Sequence, residues 1–188
     1  MSTERKREII ATAIEIIADE GYGSLTMRAL ARASGMKLGA LQYHYRTRQE
    51  LMQSLIDFLV DEARQSMTAS GLRAGSLSVR EIAAFMLRGI PGDTALDDKL
   101  WPQLWAMQQV EPLVSDLLED VYAEYLRGLE HAIKAAGGRS PRAEALCLMS
   151  MLEGEVLFLG TGRRWASERH NVHDAMLDMI TKRYGEKE

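Results

Sequence analysis

Apolar residues recur along this chain at three- and four-residue intervals, and that spacing predicts helices almost from end to end. Ile10, Ala13, Ile14, Ile17 and Ala18 form one stripe, so Thr3–Glu20 reads as a helix. Gly21 and Gly23 end it, with Tyr22 between them as a packing anchor. Thr26 is placed to cap a second helix running to about Ala33. Gly35 then supplies a turn in the left-handed conformation. A short third helix spans roughly Lys37–His44, with Met36, Leu41 and Tyr45 as inward anchors. Thr47-Arg48-Gln49-Glu50 is a capping box. It opens a long helix in which Leu51, Leu55, Leu59, Ala63 and Met67 recur every fourth residue.

Ser70–Leu77 is a small-residue linker, and Ser78-Val79-Arg80-Glu81 is a second capping box for a helix to about Gly89. Residues 90–97, with Pro91 and Gly92, read as a loop. The next helix carries Trp101, Leu104, Trp105 and Gln108, with Pro102 in its first turn or at a kink. Pro112 opens a long helix striped by Leu113, Leu117, Val121, Tyr125, Leu129 and Ile133, which Gly137-Gly138 stop. Ser140-Pro141 pairs a cap with proline at the first helical position. The helix Ala143–Leu159 is apolar on nearly all faces, and a last one runs from Asn171 to about Tyr184. The expectation is an all-α fold of about nine helices, with no strand and no internal repeat.

Composition narrows the class. A chain of 188 residues can bury a core in one or two small domains. With 46% hydrophobic and 27% charged residues it reads as soluble and globular. Its one cysteine, Cys147, lies in an apolar run, excludes an internal disulfide and reads as a buried small hydrophobe. That usage and the lack of a signal-peptide core at the N-terminus point to the cytoplasm. The longest run of large apolar residues, Val156–Leu159, is too short to span a bilayer, so no membrane partner is expected.

Charge changes the picture. The net charge of −4 argues against nucleic acid, but its distribution reverses the argument. Residues 1–50 carry eight Lys/Arg and six Asp/Glu, or +2, which leaves −6 for the remainder. Between Ser24 and Gln49 stand Arg28, Arg32, Lys37, Arg46 and Arg48 with no acidic residue. A basic N-terminal module on an acidic body suits DNA binding. The two short helices meeting at Gly35 suit it too. Leu41 and Tyr45, four apart, take one face inward and leave Lys37, Leu38, Gly39, Gln42 and Tyr43 largely outward. A helix-turn-helix lays such a second helix in the major groove. Gly39 permits close backbone approach, and Ala40 lets the helix sit deep.

At Ala31-Arg32-Ala33-Ser34-Gly35-Met36-Lys37, Gly39-Ala40-Leu41-Gln42-Tyr43-His44-Tyr45 and Arg46-Thr47-Arg48-Gln49-Glu50-Leu51 the chain resembles the TetR family of transcriptional repressors. The match covers about residues 5–60. The remainder resembles the family in helix count and order, and Leu100–Ile133 is loosely similar to its choline-responsive branch. The resemblance implies a helix-turn-helix DNA-binding domain at 1–47, a connecting helix at 48–70 and a helical-bundle ligand-binding and dimerisation domain at 71–188. Three departures stand out. Lys37 replaces the usual capping serine, Leu38 a polar residue and Gln42 the usual first tyrosine. Glutamine pairs bidentately with adenine and leucine touches a thymine methyl, so operator preference should differ from the family norm. Lys37, Gln42 and Leu38 are thus expected on bases. Tyr43, His44, Thr26, Arg28 and Arg48 are expected on phosphates, which fix register.

One such module reads too few base pairs, so a homodimer on a palindromic operator is expected. Leu148, Leu152, Glu155, Val156, Leu159, Met176, Met179 and Ile180, on the last two helices, are the interface candidates. Phe85, Met86, Trp101, Trp105, Gln108, Tyr122, Tyr125, Met149, Glu153 and Phe158 are the candidates for an effector cavity, although most lie on stripes that any bundle needs. Glu153 and Glu155 interrupt the apolar run. Either anchors a cationic ligand beside aromatic rings or pairs with Arg163 or Arg164 across the dimer, the second being favoured.

Enzyme motifs are missing: no P-loop, no His-Glu-x-x-His, no nucleophile elbow and no Cys-x-x-Cys. His44, His131, His170 and His173 are too scattered to imply a metal site, and no cofactor is expected. The expectation is a dimeric repressor released by a small-molecule effector of unknown identity. The alternatives are an activator of the same fold or a helical interaction protein without specific DNA binding.

Overall fold

Capping side chains and proline start many of the helices where the sequence places them. The structure, a computed structural model, describes residues 2–72, 75–88 and 99–185. In it α1 spans Ser2–Glu20, α2 Met27–Ala33, α3 Leu38–His44, α4 Arg48–Ala69 and α5 Val79–Arg88. Then follow α6 at Leu100–Met107, α7 at Pro112–Ala135, α8 at Pro141–Gly154, α9 at Val156–Leu159 and α10 at Arg169–Tyr184. Among the described residues there is no strand, and no helix is long and apolar enough to cross a membrane. The predicted loop at 90–97 lies outside the described residues.

The nine predicted helices are present, with one of them divided. The segment read as Ala143–Leu159 breaks at Glu155 into α8 and the single turn α9. The last helix starts two residues earlier than predicted, at Arg169. The Ser78 box is reciprocal: Glu81 N–H donates to the Ser78 hydroxyl at 3.3 Å, and Ser78 N–H to Glu81 at 2.7 Å. Ser140 makes no side-chain cap; its N–H instead donates to the Glu144 carboxylate at 2.9 Å. Pro102 falls in the first turn of α6, where a missing N–H costs nothing.

The chain divides into two compact units, Met1–Glu62 with Asp93–Leu118 and Ala63–Gly92 with Glu119–Glu188. In the first, α1 packs against α2 and α6, and α2 against α3. Ile9, Ile17, Leu25, Leu30, Leu41, Leu51, Leu55 and Leu59 are buried there, as are Leu100, Leu104 and Met107 of α6. In the second, α5 packs against α8 and α10. The predicted α7 stripe is buried from Leu117 through Val121, Tyr125, Leu129 and Ile133, while Leu113 is half-buried. Gly128 lets α7 approach Leu72, because a Cβ there would lie 2.8 Å from Leu72 Cδ1.

One burial expectation is corrected. Cys147 is exposed on α8, so it is not a core hydrophobe. Leu146, Leu157 and Phe158 are exposed too, at 45%, 51% and 57%, so the α8–α9 stretch keeps an apolar face outside the chain's own core.

Candidate nucleic-acid interface

The helix-turn-helix is built by local bonds. Thr26 accepts the Ala29 N–H at 3.1 Å and so caps α2. Gly35 adopts φ 64°, which a side chain rarely tolerates, and Met36 N–H closes the turn on the Ala31 carbonyl at 2.8 Å. Lys37 occupies the cap position of α3 without a side-chain cap bond, as loss of the usual serine requires. On the far side, Thr47 accepts the Glu50 N–H at 3.1 Å. Glu50 returns its bond to the Arg46 N–H at 2.8 Å, one residue earlier than the simple box.

These bonds fix which face of α3 is inward. Leu41 is fully buried and Tyr45 is 2% exposed. Lys37, Gly39, Ala40 and Gln42 are exposed, Leu38 and His44 are half-buried, and Tyr43 reaches 85% exposure. A large aromatic ring left that far in water is unusual, and it meets only the edge of His44, with centroids 5.6 Å apart. Lys6 lies over the inner ring, Tyr45, at 5.4 Å. Burial raises the Tyr45 hydroxyl pKa, and its bond to Ser54 partly offsets the rise. Arg28, Arg32 and Arg46 are exposed. The face is therefore cationic and polar around small residues at the helix start.

Arg48 is engaged within the chain. Its guanidinium lies over the Tyr22 ring at 4.8 Å and pairs with Glu111 at 3.3 Å. Tyr22 donates its hydroxyl to the same Glu111 oxygen. The sequence predicts Tyr22 as a packing anchor but gives no role to Glu111, whose only signal there is its place just ahead of the helix-opening Pro112.

The predicted effector residues fall into separate groups. Trp101 and Trp105 lie on α6 and Gln108 at its C-cap in the first unit, all half-buried. In the second unit Phe85 and Tyr125 are buried with tilted rings 6.1 Å apart, and Tyr122 donates to Glu153 at 3.2 Å. Met149 is buried and Met86 half-buried there. Burial pushes the Glu153 carboxyl up to about 7; the Tyr122 bond lowers it, and the charge of Glu155 adds to the rise. Burial, with the charge of Glu153, also raises the Tyr125 hydroxyl. Phe158 does not join this group. It is exposed and lines a groove of about 420 Å³ with Ser150, Met151, Gly154, Val172 and Met176.

Glu155 is 6% exposed and meets a cation inside its own chain. Arg169 lies 3.0 Å from one oxygen and His173 3.3 Å from the other. Arg163 and Arg164, the partners favoured across a dimer, are exposed in the single chain. Of the interface candidates, Leu152, Val156, Leu159 and Ile180 are also buried in the chain, because α8, α9 and α10 spend those positions on their own packing. Leu148 and Met176 are half-buried. The large apolar side chains left exposed on α8, α9, α10 and the segment between α9 and α10 are Leu146, Leu157, Phe158, Trp165 and Met179. Among the described residues no group of three metal-ligating side chains occurs.

Comparison with known proteins agrees with this geometry. Residues 9–55, which hold α2, α3 and the start of α4, match the model for bacterial regulatory proteins of the tetR family. The HTH-type transcriptional regulator BetI of Cronobacter sakazakii is 23% identical over 176 residues, covering 87% of each chain. BetI of Escherichia coli is 24% identical over 172 residues, covering 84% of this chain and 87% of that protein. A transcriptional regulator from a Rhodococcus species superposes with a TM-score of 0.76 at 18% identity, over 97% of this chain and 99% of the other. A regulator from Saccharomonospora viridis in complex with choline gives 0.72 at 19% identity, over 96% and 95%. At such identities the solved structures establish the shared fold.

Proposed function

We propose that the chain is a helix-turn-helix transcriptional regulator of the TetR family that acts as a dimeric repressor released by a small organic cation. The observation that carries the DNA-reading part is the division of α3: Leu41 and Tyr45 are buried while Lys37, Gly39, Gln42 and Tyr43 are exposed. Small residues at the helix start and a hydrogen-bonding outer face are what a major groove accepts. Lys37 and Gln42 read base edges, and Leu38 touches a thymine methyl. Tyr43, His44, Arg28 and the end of α2 at Thr26 hold phosphates and fix register.

DNA reading belongs to residues 1–47, the connection to 48–70 and sensing with dimerisation to 71–188. Exposed Phe158, which lines the α8–α10 groove, and exposed Leu146, Leu157, Trp165 and Met179 supply the contact with a second copy. The effector binds at Glu153 among Tyr122, Tyr125, Phe85 and Met149. A part-buried carboxylate needs a counter-charge, and aromatic faces favour an organic cation. The choline held by the Saccharomonospora viridis regulator supports that class and makes choline the first ligand to test. The experiment selects bound duplexes from a random pool, then measures operator affinity with and without choline. A two-fold symmetric consensus, released by choline, supports the proposal. A consensus without symmetry contradicts the dimer, and binding indifferent to choline contradicts this effector.

A further inference from the structure

Arg48 and Glu111 are far apart in sequence and meet beside Tyr22. Arg48 is the first residue of α4, just beyond the end of α3, and Glu111 immediately precedes Pro112 at the head of α7. The guanidinium is 3.3 Å from Glu111 Oε1 and stacks over the Tyr22 ring. The Tyr22 hydroxyl donates to that same Oε1. A second ion pair in this unit, Lys99 to Asp19 at 2.7 Å, ties the residue before α6 to α1.

The two partners are held unequally. Glu111 sits at the start of α7, where the positive end of the helix favours an anion, and it keeps the bond from Tyr22. Arg48 sits at the start of α4, where the same helix end disfavours a cation. Its side chain is 43% exposed, and that of Glu111 is 24% exposed, so the pair is the weak, exchangeable kind. Phosphate offers the guanidinium a bidentate partner that a single carboxylate oxygen at 3.3 Å does not.

We propose that Glu111 competes with the DNA backbone for Arg48, so that phosphate must displace the carboxylate when the chain docks on DNA. This rests on the reading of residues 1–47 as the DNA-binding module. The competition makes the head of α7 a control point for affinity.

The test needs no known operator. Fluorescence anisotropy on a random-sequence duplex of about 30 base pairs, over a salt series, reports phosphate contacts directly. The full chain is compared with Glu111→Gln, Arg48→Ala and the double variant. Glu111→Gln leaves an acceptor for Tyr22 and removes the charge. It should bind roughly 3–10-fold tighter and steepen the salt slope by about one per protomer. In the Arg48→Ala background the same change should have less than about a twofold effect. Tyr22→Phe, which loosens Glu111 without altering charge, should give a smaller gain in the same direction. Equal gains in both backgrounds would mean general loss of negative charge and would overturn the competition, as would no gain from Glu111→Gln. A wild-type chain with no salt-dependent binding would instead sink the DNA-binding reading itself.

Discussion

Gln42 stands on the exposed face of α3 where the family pattern has a tyrosine, and the proposed function sets it on a base edge. Gln42→Ala should cost about 1–3 kcal/mol on the cognate operator and relax preference at one base position. A uniform loss across operator variants would place it on phosphate instead. Glu153 makes a different prediction. Its folded carboxyl titrates near 7 against 4.5 for the free group, so between those values the folded chain holds more protons than the unfolded one. Stability should therefore fall as pH rises through that window, by up to ~3 kcal/mol once pH exceeds the folded value. Glu153→Gln should flatten that slope in melting temperature, and an unchanged slope would contradict the assignment. A cationic effector needs the carboxylate, so its affinity should rise with pH over the same window. Positions such as Leu41 and Tyr45 were legible in the sequence because a four-residue interval fixes one helix face. The partners of Glu155 were not, because Arg169 and His173 come from a later helix that folding alone brings alongside.

Helices were the most legible features, since caps and stops act within a few residues. Thr26, Gly35, Thr47 and Ser78 all behave as their chemistry requires. Ser78→Ala should cost about 1 kcal/mol in chemical unfolding, the usual loss of a cap. Leu41→Ala, at a fully buried position, should cost about 2–5 kcal/mol and with it the ordered α3. A Leu41 variant as stable as the wild type would mean that α3 does not anchor through that side. Less legible were α8 and α9. An all-round apolar helix carries more apolar surface than one bundle face can use, but the pattern does not say which positions stay outside, and Leu146, Leu157 and Phe158 do. Ser140 shows the limit of local rules from the other direction: the expected cap is replaced by Glu144, which also receives Arg183 and Tyr184 from α10.

Across the chain, the sequence divides by residue number, but compactness does not. α6 follows the linker in sequence and yet packs on α1, because its buried Leu100, Leu104 and Met107 belong to the first unit's core. No periodicity reveals such a return. For assembly, Phe158→Glu should leave the monomer fold intact, since the ring is already 57% exposed, and should shift sedimentation from dimer to monomer. A dimer unaffected by that charge would move the interface elsewhere. The proposed function gives base reading to α3. Affinity for the selected operator should be measured across a salt series for the wild type and for Lys37→Ala/Gln42→Ala. The wild type should lose affinity steeply with salt, while the double variant falls toward non-specific affinity, a Kd of about 10⁻⁴–10⁻⁶ M at physiological salt, and keeps most of the slope. A double variant that still discriminates the operator as well as the wild type would contradict the assignment of base reading to α3.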